Sequence, residues 1–241
     1  MSVAAAPARR LGWDSAFFGF PVAQGEPATA GDVVAIDLWA DIETIRCVYL
    51  LVPAASLEVR AAAESRGFSL TGIRVTCTSD VTIDALSVTS DAFTVRPAEE
   101  ADVPELERIA ASSHSESRFY ADGHFSRDSC ESLYRTWIRR SCEGWADGVL
   151  VADLGGQPQA YISLHVRAPD EGAIGLFAVA SNARKMGIGR ALVRAGLGWF
   201  RDRQVKRVTV VTQAHNVAAL RLYQRAGFFV SQVDLWFHKW R

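Results

Sequence analysis

The sequence is poor in cysteine and contains no C-x-x-C pair. Its four cysteines are scattered singly along the chain: Cys47, Cys77, Cys130 and Cys142. Zinc sites and redox-active motifs need closer, clustered spacing, so we expect neither a metal nor a redox centre. Buried free thiols in a reducing compartment are the expectation that remains.

An excess of charge of either sign is also missing. The chain carries 26 Lys and Arg against 27 Asp and Glu, a net charge of −1. Such a chain has no general field that attracts nucleic acid or an anionic membrane, so we predict neither as a partner. No run approaches the roughly 20 apolar residues of a membrane span, and Asp14 interrupts the N-terminal stretch before a signal peptide could form. We expect a cytoplasmic protein.

The composition that is present is typical of a globular protein, with 49% apolar and 22% charged residues. Apolar periodicity predicts a helix over 31–45, a buried strand over 47–52, a helix over 57–65 and a strand over 73–81. A new unit begins at Phe93. We therefore predict two domains, an N-terminal α/β domain of residues 1–92 and a larger domain of residues 93–241.

The larger domain is predicted to alternate helices and strands in a mixed α/β fold. Helices are expected over 102–112 and 129–142, and strands over 148–154 and 160–166, which Gly155-Gly156 would join as a hairpin. A further strand is expected over 173–180. We predict a central, mostly antiparallel sheet with helices on both faces and the smaller N-terminal unit packed on it.

The segment 181–190 carries the clearest chemical signal. An apolar strand ends just before it, and the stripe that starts at Ile188 and Ala191 predicts a helix that begins inside it. Gly187 and Gly189 allow a ligand to approach the backbone closely. The free N–H groups of a helix N-terminus bind phosphate. The segment is therefore predicted to be an anion site.

The same segment is rich in positive charge, supplied by Arg184, Lys185 and Arg190. It is not a dinucleotide fingerprint, because Leu192 stands where the third glycine belongs, and no G-K-[ST] of a P-loop follows.

Two motifs carry a resemblance to a known family. The spacing R-x-x-G-x-G from Arg184 to Gly189 resembles the pyrophosphate-binding motif of the GNAT (GCN5-related) N-acetyltransferase superfamily. The pattern N-x-x-A-x-x-L-Y-x-x-x-G-F from Asn216 to Phe228 is similar to its C-terminal signature. The resemblance covers residues 93–241, and it implies a GNAT fold with acetyl-CoA as cosubstrate. A helix-glycine-aromatic joint at 62–68 resembles the one at 222–228, so the N-terminal domain is predicted to be a partial GNAT-like unit.

The resemblance also implies site residues. The strand Gly175–Ala180 would be splayed, with the backbone of Phe177, Ala178 and Val179 pairing with the pantetheine arm. Asn216 would cap its helix and, with Ala219, lie near the pantetheine. The pyrophosphate would be held by one consecutive run: Arg184, Lys185, Met186, Gly187, Ile188, Gly189 and Arg190.

Tyr223 is implied to be the catalytic acid, because its hydroxyl would point at the thioester sulfur and protonate the leaving thiolate. A tyrosine of the core is the alternative. Backbone N–H groups near Val179 would hold the oxyanion of the tetrahedral intermediate. The base stays open among four side chains and a water relay; the side chains are His165, Asp170, Glu171 and His215.

Four further stretches resemble the dTDP-fucosamine acetyltransferase family, which acetylates the amino group of a nucleotide-linked deoxy sugar in polysaccharide biosynthesis. These stretches are 13–19, 117–122, 133–138 and 161–164. Arg118 would then pair with a diphosphate, and Phe119, Tyr120 or Trp137 would offer a flat face to a base or sugar. In the alternative interpretation, Phe119 and Trp137 are core residues and Arg118 is a surface charge.

The sequence also allows acceptors other than a nucleotide sugar. The segment 112–137 mixes acidic and basic residues, so it does not decide between a nucleotide sugar, another small amine, an aminoglycoside and a protein N-terminus. A non-catalytic acyl-CoA-binding module is the alternative from another class. The partner is expected to be a small-molecule amine, with a homodimer as one candidate for the oligomeric state.

Overall fold

The computed structural model describes residues 8–81 and 92–241. Within them the strands are β1 (Ala8–Arg10), β2 (Val22–Gly25), β3 (Cys47–Pro53), β4 (Ser69–Asp80), β5 (Thr94–Pro97), β6 (Gly148–Leu154), β7 (Gln157–Ala168), β8 (Glu171–Val179), β9 (Arg207–Gln213) and β10 (Phe229–Trp240). The α-helices are α1 (Gly12–Phe18), α2 (Ala30–Ile42), α3 (Leu57–Ser65), α4 (Val103–Ser113), α5 (Arg118–Ala121), α6 (Arg127–Arg140), α7 (Ile188–Arg201) and α8 (Val217–Arg225).

The chain forms two compact units that do not follow its linear order. The first unit contains the described residues up to Val75 together with Ser117–Phe125 and Gln232–Arg241. The second unit contains the described residues of the range Thr76–Glu116 together with Ser126–Ser231. These limits differ from the predicted boundary at residue 92, most of whose surroundings lie outside the described residues. The division into domains 1–92 and 93–241 stays a prediction.

In the first unit the strand order is β1-β2-β3-β10-β4. Strand β3 runs parallel to β2 and antiparallel to β10, in a register that pairs Cys47 with Trp240 and Pro53 with Asp234. Its apolar run is buried against α2 and α3, as the predicted buried strand requires. The Thr29–Asp32 capping box starts α2, because each side chain accepts from the backbone N–H of the other residue.

In the second unit the strand order is β10-β4-β9-β8-β7-β6-β5. Strands β5 to β8 are successively antiparallel, and β8 and β9 are parallel. Gly155 and Gly156, with φ of 64° and 83°, form the predicted hairpin between β6 and β7.

Helices cover both faces of this sheet. A Cβ on Gly196 of α7 would lie 3.1 Å from Leu164 Cδ2 and 3.3 Å from Ile162 Cδ1, so these two side chains of β7 face α7. On the opposite face Tyr161 forms a hydrogen bond with His114, which follows the last residue of α4. The predicted α/β fold with helices on both faces of a mostly antiparallel sheet is confirmed.

Candidate functional site

Strands β8 and β9 separate part-way along their length. Among the described residues, their pairing runs from Glu171 and Arg207 to Ile174 and Val210 and ends there. On its other edge, β8 stays paired with β7 as far as Val179. The edge of β8 from Gly175 onward therefore has its backbone groups available to a ligand, and the predicted splay is confirmed.

An irregularity of the β7–β8 ladder lies at the point of separation. Leu164 pairs with Ile174 whereas Ile162 pairs with Phe177, so β8 has one extra residue opposite Ser163. The backbone N–H of Leu176 donates to Ser163 Oγ at 2.7 Å. A β-bulge of this kind re-aims backbone groups next to a site.

The N-terminus of α7 has the geometry of an anion site. Gly187 precedes the helix with φ of 79°, and Lys185 also has a positive φ of 66°. The first intrahelical bond runs from the N–H of Ala191 to the carbonyl of Gly187 at 3.1 Å. The N–H groups before Ala191 have no partner in the helical pattern and are aligned with the positive end of its dipole.

Glycine is needed at the two positions of this turn for different structural reasons. A Cβ on Gly187 would meet nothing within 4 Å, so its role is the left-handed backbone and the space in front of the helix is open. A Cβ on Gly189 would lie 3.3 Å from Phe177 Cζ and 3.4 Å from Leu222 Cδ2. The missing side chain of Gly189 thus also makes room for β8 and α8, and its role at a ligand stays a prediction.

Positive side chains surround this helix end and are exposed. Arg184 donates from Nε to the carbonyl of Val179 at 3.3 Å, which ties the turn to the end of β8. Within the described part of the chain, no carboxylate forms an ion pair with Arg184, Lys185 or Arg190. Their charge is available to an anion.

Helix α8 brings the second motif to the same strand. Asn216 Oδ1 accepts a hydrogen bond from the N–H of Ala219 at 3.1 Å, so the predicted cap is confirmed. Tyr223 is buried, and its ring centroid lies 6.3 Å from that of Phe177 on β8. Burial raises the pKa of Tyr223, so its phenol is protonated at neutral pH.

The four candidate bases lie in different places. Asp170 and Glu171 stand where β8 and β9 are still paired, since the N–H groups of Lys206 and Arg207 donate to the Asp170 carbonyl. His215 is exposed and forms an ion pair with Glu116 at 2.8 Å. His165 is buried, with Nε2 3.4 Å from Ser163 Oγ. Of the four candidate bases, only His165 lies beside the β-bulge.

The residues predicted to bind the acceptor belong to the first unit. Phe119 is 2% exposed and lies among Phe18, Phe125 and Tyr49, which is the core alternative. The Arg118 guanidinium carbon lies 4.2 Å from the ring centroids of Tyr49, Phe119 and Trp236. Arg118 is thus held by cation–π contacts instead of standing as a surface charge.

A series of buried hydrogen bonds fixes the position of the Arg118 side chain. Arg118 Nη1 lies 2.9 Å from His238 Nε2, and His238 Nδ1 lies 2.6 Å from Asp122 Oδ2. Because an arginine can only donate, His238 accepts at Nε2 and donates from Nδ1. Burial opposes the charge of Asp122, but hydrogen bonds from His238, Trp240 and His124 hold its pKa well below the usual range.

The sequence interpretation did not single out His238, Trp236 or Trp240. Ring side chains stand at the alternate positions 236, 238 and 240, which share one face of a strand, and this spacing was the signal that could have drawn attention to them. Their role becomes visible only when β10 is placed beside β3.

The match to a known family decides the identity of the fold. The family model of the Acetyltransferase (GNAT) family matches residues 106–228. The chain belongs to this family. The prediction of an acetyltransferase is thereby confirmed, and the GNAT family in general uses acetyl-CoA.

The names of two similar proteins refer to the chemistry of sugars. This GNAT protein is 26% identical to the dTDP-fucosamine acetyltransferase of Escherichia coli O6:H1 over 231 residues, 95% of this chain and 96% of that protein. It is 30% identical to the spore coat polysaccharide biosynthesis protein SpsD of Bacillus subtilis over 148 residues. That alignment covers 61% of this chain but only 51% of SpsD.

Solved structures share the fold over nearly the full length of this GNAT protein. A GCN5-related N-acetyltransferase from Sphaerobacter thermophilus superposes with a TM-score of 0.69 at 16% identity, covering 97% of this chain and 76% of that one. One from Kribbella flavida gives 0.66 at 13% identity, covering 98% and 88%. At these identities the likeness concerns the fold. Across residues 8–81 and 92–241, none of the helices has the length and apolar character needed to cross a membrane.

Proposed function

We propose that this GNAT protein transfers the acetyl group of acetyl-CoA to the amino group of a nucleotide-linked deoxy sugar. The observation that carries the acetyl transfer is the free edge of β8 beside the N-terminus of α7. The nature of the acceptor is supported by the similarity to dTDP-fucosamine acetyltransferase, which extends over 95% of this chain.

Acetyl-CoA would lie along the opening between β8 and β9. The segment Phe177–Val179 borders the unpaired edge of β8, where alternate residues turn their N–H and C=O groups away from β7 and an extended pantetheine arm would find hydrogen-bond partners as a further strand would. The pyrophosphate would take the N–H groups at the start of α7, with Arg184, Lys185 and Arg190 supplying positive charge. The thioester is then the acyl donor.

The transfer itself needs an amine nucleophile and an acid for the leaving thiolate. Tyr223 lies next to Phe177 of β8, and its raised pKa keeps the phenol protonated, so it is the proposed acid. Asn216 contributes by fixing the start of α8 and thereby the position of Tyr223.

For the acceptor, Arg118 and Tyr120 are the proposed contacts of the diphosphate. Arg118 is positively charged at all pH values of interest, and the hydrogen bond to His238 restricts its orientation. Phe119 is proposed to pack its ring against the Arg118 guanidinium instead of contacting the sugar.

A second candidate acceptor is supported by a different relative. The chain is 36% identical to the mycothiol acetyltransferase of Cellulomonas flavigena over 108 residues, 40% of this chain and 31% of that protein. This similarity concerns a smaller part of the chain than the match to dTDP-fucosamine acetyltransferase. An acceptor other than a nucleotide sugar is therefore the second proposal.

The deciding experiment measures thiol release from acetyl-CoA with a panel of acceptors. The panel contains dTDP- and UDP-linked amino sugars, the same sugars without nucleotide, aminoglycosides, polyamines and peptides. We expect turnover with a nucleotide-linked amino sugar and a large loss when the nucleotide is removed. Turnover with another amine alone would overturn the acceptor proposal and keep acetyl transfer, whereas acetyl-CoA binding without any turnover would favour a binding module.

A further inference from the structure

Two buried side chains of β7 lie on the face of the sheet opposite α7. Ile162 and Leu164 face Gly196 of α7, where an added Cβ would lie 3.3 Å and 3.1 Å from them, and side chains alternate along a strand. Ser163 and His165 therefore face the other way. Their relative exposures are 0% and 6%. Buried polar side chains of this kind need hydrogen-bond partners.

Gly175 of β8 provides the space that these two side chains occupy. A Cβ on Gly175 would lie 2.5 Å from His165 Nε2 and 2.7 Å from Ser163 Oγ, closer than a real Cβ can come. Gly175 is exposed and is the first residue of β8 beyond the pairing with β9. His165 Nε2 thus lies against the backbone at the vertex of the opening.

The hydrogen bonds around His165 define which ring nitrogen carries the lone pair. Ser163 Oγ accepts from the N–H of Leu176 at 2.7 Å and lies 3.4 Å from His165 Nε2, too far for a strong hydrogen bond that would occupy the Nε2 lone pair. A hydrogen bond to the Trp145 backbone favours the protonated ring, as donation by a ring N–H to a carbonyl does. Together these contacts leave Nε2 as the acceptor nitrogen.

We propose that His165 is the catalytic base of the acetyl transfer, with Nε2 taking the proton from the attacking amine. The inference rests on the proposed transfer at the free edge of β8. The amine nitrogen forms a C–N bond with the thioester carbonyl carbon, and its proton passes to Nε2. The C–S bond breaks, and the thiolate takes the Tyr223 hydroxyl proton. Exchange with solvent then restores both side chains, so no further reactant is needed.

The electrostatic surroundings of His165 suit this role. Burial lowers the pKa of His165, and Arg167 on the same strand acts in the same direction. Asp147, which precedes β6, and the Trp145 backbone oppose the shift. The imidazole is therefore neutral at neutral pH and ready to accept a proton.

The other candidate bases are less well placed. Glu171 is four residues before Gly175, about 13 Å along an extended strand, at the end where β8 and β9 are paired. His215 has its own partner in Glu116.

The test compares His165→Gln with His215→Gln, a matched change at an exposed histidine. It uses the full chain and whichever acceptor the wild-type protein acetylates. We expect kcat/KM of His165→Gln to fall about 10²- to 10⁴-fold, while acetyl-CoA binding and the melting temperature stay near wild type. His215→Gln should remain close to wild type.

Two further readouts separate a base from a structural role. The acidic limb of the wild-type pH profile should disappear in His165→Gln, and acceptors of lower amine pKa should lose less activity. Ser163→Ala, which keeps the imidazole, should keep the limb. Full turnover by His165→Gln, or a uniform loss with the limb unchanged, would overturn the proposal. A wild-type protein that acetylates no acceptor would instead defeat the proposed function itself.

Discussion

Tyr223 is the side chain on which the proposed chemistry most depends. It is surrounded by Phe177 and Phe228, with ring centroids 6.3 Å and 5.8 Å away, in an apolar environment that raises the pKa of its phenol. Such an environment suits both a core tyrosine and an acid that must stay protonated until the thiolate forms. Removal of the hydroxyl alone separates these two roles.

We expect Tyr223→Phe to retain acetyl-CoA affinity and to lose about 10²-fold or more in kcat, because the ring is kept and only the proton donor is removed. Binding calorimetry and steady-state thiol release measure the two quantities. Tyr134→Phe is the control, since Tyr134 is also buried but stacks on His114 at 4.3 Å. An unchanged kcat in Tyr223→Phe would remove this residue from the mechanism.

The Arg118 arrangement shows a limit of sequence reasoning. The motif around Arg118 was recognised, but the residues that hold it were not. Asp122 and His238 are 116 positions apart in the sequence, and Arg118 and His238 are 120 apart. Contacts at such separations depend on strand order, which local periodicity does not contain.

The sequence predicts the bounds of a helix or strand most accurately where one periodicity covers the whole element. The amphipathic helix α3 and the strand β6 were predicted with the bounds that the structure has. Strand β4 begins at Ser69, four residues before the predicted start, because the exposed Leu70 is out of phase with the alternation that begins at Ile73. Helix α1 was not predicted at all, since its aromatic residues suggested a motif and not a helix.

In the candidate site, the cosubstrate motifs could be recognised from sequence because they are contiguous. The turn before α7 and the cap of α8 are local features with fixed residue types. The bulge at Ser163 and Gly175 was not foreseen, because it arises from a register shift between two strands.

The start of α7 allows a matched test of the anion site. Gly187→Ala forces a side chain into a backbone with φ of 79°, at a cost of about 1–2 kcal/mol. We expect the altered turn to raise KM for acetyl-CoA at least several-fold. Gly198→Ala on the same helix is the control, because its Cβ would meet nothing within 4 Å. Equal KM values for the two variants would contradict the role of the turn.

For the complete chain, two histidines with strongly lowered pKa values, His114 and His238, predict loss of stability in mild acid. Burial lowers the pKa of both His114 and His238 to about 4. The unfolded chain, with histidine pKa values near 6.5, then binds protons that the folded chain does not. The free energy of unfolding should therefore fall as pH decreases from about 6.5 to 4.

Urea titrations across this pH range measure the effect, and His114→Gln serves as the comparison. We expect the decrease to amount to about 1–3 kcal/mol per histidine and to be smaller in the variant. A free energy of unfolding that is constant between pH 6.5 and 4.5 would contradict the prediction.

The first unit is built from three separate stretches of the chain, and this has a consequence for biosynthesis. Strand β10 lies between β3 and β4, so residues 232–241 occupy an interior position among strands made much earlier. On the ribosome, β3 and β4 are therefore made long before β10, the strand that separates them in the sheet, has been synthesised. During that interval the edge of β3 is an open template for other strands. Strand β10 thus covers strand edges that β3 and β4 leave open until β5 to β9 have been made.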